Sequence, residues 1–132
     1  MKGVYVLIIE VKKDNITAKI GALGVVNFQK GLYAYVGSAQ NNLEKRITRH
    51  KSRNKKKFWH LDYLLDGKET RVVNAYYKNA GKEEECQIAK KLSETETLIP
   101  HFGCSDCNCK THLFKIRDTR VVLKQGLTEL KE

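Results

Sequence analysis

The sequence predicts an α/β (α+β) domain with a small, mostly antiparallel sheet flanked by helices. Apolar and alternating stretches in the first third have the spacing of hairpin strands, and later stretches carry apolar residues at helical spacing. The length of 132 residues is that of one domain. With 41% apolar and 30% charged residues, the composition is that of a globular rather than a disordered chain.

The predicted elements run from a strand-rich beginning to a more helical second half. Strands are predicted at residues 4–11, 16–20 and 32–36, the last ended by Gly37-Ser38, with a loop or irregular hairpin at 21–31. A helix capped by Asn41 or Asn42 follows. We predict further helices at 58–65 and 83–94 and strands at 71–77 and 112–116. A single domain then covers residues 1–132, with 99–132 as a Cys- and His-bearing C-terminal extension.

The charge balance favours a polyanionic partner. The formal net charge is +10 and the isoelectric point is about 9.5. A protein this basic attracts polyanions such as nucleic acid. The sequence has no apolar run of the ~20 residues that span a bilayer, and no signal-peptide cleavage site follows its apolar start. We therefore expect a cytoplasmic protein without a membrane partner, whose four cysteines are thiols or metal ligands.

Two tyrosines lie in similar short motifs on predicted strands. They occur in Gly3-Val4-Tyr5 and in Tyr35-Val36-Gly37, so neighbouring strands would bring their phenols together. A phenol exchanges hydrogen bonds in both directions, but its pKa of about 10 must be lowered by a cation before it acts as a base at neutral pH. The alternative is ordinary strand packing, for which tyrosine is well suited.

The helix after the second tyrosine motif carries a cation on its apolar side. Arg46 and His50 share that face, whereas Lys45 and Arg49 point away. Burying a guanidinium costs free energy unless an anion meets it, and a phosphate would be such an anion. In the alternative, Arg46 pairs with a structural carboxylate and His50 is a satisfied, partly buried histidine.

Taken together, these motifs resemble the GIY-YIG nuclease family. The order is Gly-Val-Tyr, then Tyr-Val-Gly-Ser about thirty residues later, then Leu-x-x-Arg-x-x-x-His on a helix. Within that superfamily the chain is most similar to the small, mostly archaeal Uri-type endonucleases, to which the stretches 59–65 and 102–107 also bear a likeness. The resemblance covers residues 3 to 114.

The resemblance implies a Mg²⁺-dependent endonuclease that hydrolyses phosphodiester bonds. We expect its substrate to be DNA rather than RNA. We also expect branched, nicked or damaged DNA to be preferred, and a role in repair. It implies that Tyr5 activates water, Tyr35 supports it and Arg46 stabilises developing charge. His50 matches a histidine that some members use, and Gly37 is a secondary site residue.

The metal-binding glutamate that the resemblance implies must come from residues 83–85. We assign it to Glu85, because on a helix Glu85 falls within the apolar arc and Glu84 lies just outside it. The alternatives are that all three acids merely favour the positive end of the helix dipole, or that a different register places Lys90 at the metal position and makes the domain inactive.

A cluster of cysteines near the end of the chain suits a soft metal. Three thiols and an imidazole lie within nine residues, and one more cysteine lies on the helix of the candidate glutamate. These five candidate ligands of a structural zinc ion are Cys86, Cys104, Cys107, Cys109 and His112. In the alternative they are reduced thiols, with or without one disulfide.

A basic run extends from the helix of Arg46 to residue 57 and holds eight lysines or arginines in thirteen residues. Such a run would hold a phosphate backbone without reading bases, or it is a solvated face. The predicted phosphate contacts are Lys45, Arg49, Lys51, Arg53, Lys55, Lys56 and Lys57. His60 is a secondary candidate that would orient a phosphate or pair with Asp62.

Two other functions remain open from the sequence. The chain could be a nucleic-acid-binding module that keeps the fold without cleaving, or a metal-stabilised interaction domain whose purpose is the cysteine cluster.

Overall fold

The structure is a computed structural model that describes residues 2–52, 60–103 and 109–130. The strands of the described chain are β1 (Gly3–Val11), β2 (Ile16–Lys19), β3 (Val25–Phe28), β4 (Gly31–Ala39), β5 (Thr70–Lys78), β6 (Thr97–Leu98), β7 (Leu113–Ile116) and β8 (Thr128–Glu129). Its α-helices are α1 (Leu43–Lys51), α2 (His60–Leu65), α3 (Glu83–Thr95) and α4 (Arg120–Leu123). The predicted α+β fold class is confirmed.

One antiparallel sheet organises these elements. Its strand order is β6-β7-β4-β1-β5-β8, so the long β1 lies between the equally long β4 and β5. β2 and β3 form a separate two-stranded hairpin, so the segment 21–31, predicted as a loop or irregular hairpin, contributes one strand and its partner is the predicted strand that precedes it. A short 3-10 helix, Gly21–Leu23, precedes β3.

The central strand β1 is apolar because both of its faces are covered. Tyr5, Leu7 and Ile9 pack on one side in a cluster that includes residues of α1 and α2. Val4, Val6 and Ile8 pack on the other side in a cluster that includes residues of α3. A continuous apolar run, rather than an alternating one, is what such a doubly covered strand requires.

The predicted starts of α1 and α3 are confirmed. Asn42 caps α1, since its Oδ1 accepts a hydrogen bond from the backbone N–H of Lys45 at 3.1 Å. Leu43 and Ile47 face the core from this helix. α3 begins at the predicted residue and buries Ile88 together with Leu92.

One predicted boundary is wrong. β4 does not end at Gly37-Ser38 but continues to Ala39, because both residues pair with β1. Within the stretch 99–132, β7 pairs with β4 inside the main sheet and β8 pairs with β5. In the part of the chain that the structure describes, every helix is too short or too polar to cross a membrane.

Candidate active site

A cleft of about 820 Å³ brings together four of the five predicted catalytic residues, all except His50. Tyr5 comes from β1, Tyr35 from β4, Arg46 from α1 and Glu85 from α3, and all four line the same cavity. The two tyrosines meet because β1 and β4 are neighbours, and both phenols lie on the side of the sheet that α1 covers. Glu85 joins them from α3, although α3 packs on the other side of the sheet. The other lining residues are Gly21, Ala22, Gly37, Ser38, Gln40, Asn41, His60, Tyr63, Lys82, Gly103 and His112.

Gly37 makes room for the Tyr5 phenol. The two residues are directly opposite each other in the β1–β4 register. A Cβ atom at position 37 would lie 2.5 Å from both Cζ and Oη of Tyr5. Because real side chains do not approach so closely, only glycine lets the phenol lie across β4 at this point.

His50 contacts both tyrosines. Its Nε2 lies 2.9 Å from the Tyr5 phenol oxygen in a buried hydrogen bond. Its ring is edge-on to that of Tyr35, with the ring centroids 6.2 Å apart. The imidazole is only 2% exposed, so α1 buries it as its helical position predicted, behind the Tyr5 phenol and not among the residues that line the cleft.

Burial keeps both phenols protonated. It raises the pKa of Tyr5 to about 12, against a smaller opposing effect of the Arg46 cation. It also raises the pKa of Tyr35 well above the usual value for a phenol. The condition for Tyr5 to act as a base at neutral pH, a pKa lowered by a nearby cation, is therefore not met, since loss of hydration outweighs the charge of Arg46.

Arg46 is half-buried at the edge of the cleft. Its Nη1 donates a hydrogen bond to the carbonyl oxygen of Ser38 at 3.1 Å, which fixes the guanidinium beside the end of β4. The guanidinium also interacts with the Tyr5 phenol through a hydrogen bond and through its charge, and both effects lower the pKa of Tyr5. The guanidinium thus remains at the cavity wall, next to the two tyrosines.

Glu85 is the acid of α3 that reaches the cleft. Its residue is 7% exposed, and its Oε2 lies 3.9 Å from Nδ1 of His112. Glu84 instead pairs with Lys78 at 2.8 Å, away from the cleft lining. Lys90 is exposed, so the register that would have placed a lysine at the metal position does not occur.

His60 is held by the backbone of a neighbouring segment. Its Nδ1 accepts a hydrogen bond from the N–H of Gly103 at 2.8 Å. Partial burial lowers the pKa of His60, which favours the neutral ring. With Nδ1 as acceptor, the neutral ring carries its proton on Nε2 and can donate it into the cleft.

Arg49 does not point away from the protein as predicted. Its two terminal nitrogens donate to the two carboxylate oxygens of Asp62 at 3.0 and 3.1 Å. Asp62 is 1% exposed, so this pair joins α1 to α2. The partner of Asp62 anticipated from the sequence, His60, is bound to Gly103 instead.

The other predicted phosphate contacts divide between described and undescribed parts of the chain. Lys45 is exposed on α1, and Lys51 is half-buried at its end. The predicted contacts Arg53, Lys55, Lys56 and Lys57 lie outside the described residues.

A second group of side chains lies beside Glu85. One ligand atom each of Cys86, Cys109 and His112 lies within 4.8 Å of the others, so these three residues could hold a metal ion. The remaining predicted ligands, Cys104 and Cys107, lie outside the described residues.

Several cleft residues escaped the sequence analysis. Lys82 directly precedes α3, Gln40 and Asn41 follow the second tyrosine motif, and Tyr63 lies three residues after His60 on α2. The position of Tyr63 could have been found from helical spacing, because residues three apart share a face. No pattern in the sequence points to Lys82.

Residues 4–131 match the family described as "Domain of unknown function DUF123". The chain belongs to that family. Searches of curated proteins and of solved structures return no significant match to this DUF123 chain.

Proposed function

We propose that this DUF123 chain is a GIY-YIG-type, Mg²⁺-dependent endonuclease that hydrolyses phosphodiester bonds in DNA. The single observation that carries the proposal is the convergence of Tyr5, Tyr35, Arg46 and Glu85 on one cleft, from four separate elements. A preference for branched, nicked or damaged DNA, and a repair role, belong to the same proposal.

Tyr5 and His50 provide a path for the proton of an attacking water. Because the phenol is protonated at neutral pH, it does not act as a preformed base. It accepts the proton of the water on its oxygen while its own proton passes to Nε2 of His50, 2.9 Å away. The phenol is thus restored, and the charge resides on the imidazole.

Arg46 and His60 supply donors for the phosphate. The guanidinium of Arg46 has a planar set of N–H groups and stabilises charge that develops on the non-bridging oxygens. The Nε2–H of neutral His60, which also lines the cleft, adds a second donor. Exposed Lys45 and Lys82 would attract the DNA backbone towards these groups.

Glu85 fits a divalent cation bound through one carboxylate. Mg²⁺ typically takes one or two protein carboxylates and completes its shell with water and substrate phosphate oxygens. Glu85 presents such a carboxylate at the cleft wall, next to the tyrosines. When bound, the cation would neutralise charge on the scissile phosphate and lower the pKa of its water.

The closest rival is a nucleic-acid-binding module without cleavage. It is favoured by the contact of Glu85 with His112, which gives the carboxylate a structural neighbour at 3.9 Å. In that case the cleft would bind a phosphate and the salt dependence of binding would be retained.

Cleavage of fluorescently labelled duplex, nicked, flapped and four-way-branched DNA, with and without Mg²⁺, tests the proposal. We expect Mg²⁺-dependent cutting that Glu85→Gln and Arg46→Ala each reduce by at least about 100-fold. Glu84→Gln is the matched control, because Glu84 lies on the same turn but pairs with Lys78. Salt-sensitive binding of every substrate without any cleavage would favour the rival module instead.

A further inference from the structure

We propose that Cys86, Cys109 and His112 form a binding site for Zn²⁺ at the junction of α3 with the segment leading into β7. The site adjoins Glu85, whose Oε2 lies 3.9 Å from Nδ1 of His112, but Glu85 is not one of its ligands and the inference does not depend on the proposed nuclease activity. Two thiols and one imidazole are a donor set that prefers zinc to magnesium.

The distances between the ligand atoms suit a single ion. All three lie within 4.8 Å of one another. Zinc–sulfur bonds of about 2.3 Å and zinc–nitrogen bonds of about 2.0 Å in a tetrahedron place two sulfurs and one nitrogen roughly 3.5–3.8 Å apart. The atoms therefore need to approach by no more than about 1.3 Å.

A hydrogen bond to the backbone leaves one ring nitrogen of His112 able to bind a metal. Its Nδ1 lies 3.2 Å from the carbonyl oxygen of Val36 in β4. A carbonyl oxygen only accepts, so this hydrogen bond places the ring proton on Nδ1 and leaves the lone pair on Nε2. A backbone carbonyl that fixes the tautomer of a ligating histidine is a common feature around zinc.

The backbone around His112 is also held in place. Its N–H donates to the carbonyl oxygen of Phe102 at 2.8 Å, and its own carbonyl accepts from the N–H of Val36 at 2.9 Å. Its side chain is 2% exposed. The imidazole is thus preorganised, and only the two cysteine side chains need to adjust.

Both thiols are accessible to an incoming ion. Cys86 and Cys109 are partly exposed and line a groove of about 580 Å³ between α3 and the segment before β7. An ion bound here would connect α3 to the segment before β7, which is distant in the sequence. It would thereby restrain α3, the helix that presents Glu85 to the cleft.

Metal content and Co²⁺ spectroscopy test the site. We expect about one zinc per chain after purification under reducing conditions, and intense Co²⁺ absorption typical of tetrahedral thiolate ligation after exchange. Cys86→Ser and Cys109→Ser should each reduce the zinc content at least 5-fold and abolish that spectrum. Ser93→Ala, in the same groove, should change neither.

A second measurement works on the unaltered chain, in case the cysteine variants fail to fold. Removal of zinc by a strong chelator should lower the melting temperature by more than about 5 °C, and added Zn²⁺ should restore it. Zinc should also protect thiols from a chromogenic thiol reagent in the folded protein. Less than about 0.2 zinc per chain after reconstitution, or a Cys86–Cys109 disulfide in the reduced preparation, would overturn the proposal. None of these measurements requires DNA cleavage.

Discussion

The Tyr5 phenol oxygen and Nε2 of His50 lie 2.9 Å apart, although the residues are 45 positions apart in the chain. The hydrogen bond joins the central strand to α1, and both side chains are almost fully buried. A buried phenol that is protonated at neutral pH and bound to an imidazole is suited to transfer a proton rather than to store a negative charge.

Replacing Tyr5 with Phe should remove this proton path with little loss of stability. We expect cleavage to fall about 100- to 10,000-fold, the usual range for loss of a general acid–base group. The free energy of unfolding should fall by about 1 kcal/mol, the typical net value of a hydrogen bond. Single-turnover kinetics measure the cleavage rate, and urea unfolding measures the free energy of unfolding.

Tyr33→Phe is the matched control for this prediction. Tyr33 is a buried tyrosine of β4 that lies outside the cleft lining. Its phenol donates a hydrogen bond to the carbonyl oxygen of Gln29. Its loss should alter stability by a similar amount and leave cleavage unchanged. Equal cleavage by both variants would show that the Tyr5 hydroxyl takes no part in the reaction.

The raised pKa of Tyr5 predicts a specific dependence of stability on pH. Its pKa is about 12 in the folded chain, against about 10 for an exposed phenol. The folded state therefore favours the neutral phenol, so this contribution is fully present below pH about 10 and is lost as the pH rises to about 12. Two pKa units correspond to about 3 kcal/mol.

Urea unfolding of the native chain and of Tyr5→Phe, each at pH about 9 and about 11.5, measures this effect. The lysines and other tyrosines affect both proteins alike, so the difference isolates Tyr5. The native chain should lose more stability than the variant over this interval. Parallel losses would mean that Tyr5 titrates as an ordinary phenol.

Gly37→Ala should disturb the cleft through a steric clash. The new Cβ would lie 2.5 Å from the Tyr5 phenol, so either the ring or β4 must move. We expect a stability loss of about 1–3 kcal/mol and a cleavage defect as large as that of Tyr5→Phe. Gly67→Ala is the control, because its Cβ would meet only ordinary contacts at 3.5 Å or more. Normal cleavage by Gly37→Ala would contradict the proposed position of the phenol.

The sequence was sufficient to predict residues whose position depends on local geometry. Strand and helix periodicity placed Tyr5, Tyr35 and Arg46 on the correct elements, and helical spacing separated Glu85 from Glu84. The family resemblance supplied the expectation that these elements meet.

What the sequence could not provide depends on contacts between distant segments. The partner of Arg49 is contributed by a different helix, and helical periodicity contains no information about that neighbour. The raised pKa of Tyr5 follows from how completely other elements exclude water. Likewise, the proximity of Cys86 to Cys109 depends on how the segment before β7 packs against α3.

The Arg49–Asp62 pair leads to a final prediction, which separates a structural arginine from a phosphate contact. Arg49→Ala removes two charge-assisted hydrogen bonds from a carboxylate that is 1% exposed. Because the arginine side chain itself is 30% exposed, solvent weakens the pair, and we expect a loss of about 2–3 kcal/mol in urea unfolding.

Lys45→Ala provides the contrast on the same helix. Lys45 is exposed, so its loss should change stability by less than about 0.5 kcal/mol. It should, however, weaken DNA binding and reduce the slope of log affinity against log salt by about 1. Arg49→Ala should leave the slope of log affinity against log salt unchanged when binding is measured under conditions in which the variant is folded. If Arg49→Ala lowers the salt slope and leaves stability intact, the guanidinium contacts phosphate, and Asp62 only holds it in the absence of DNA.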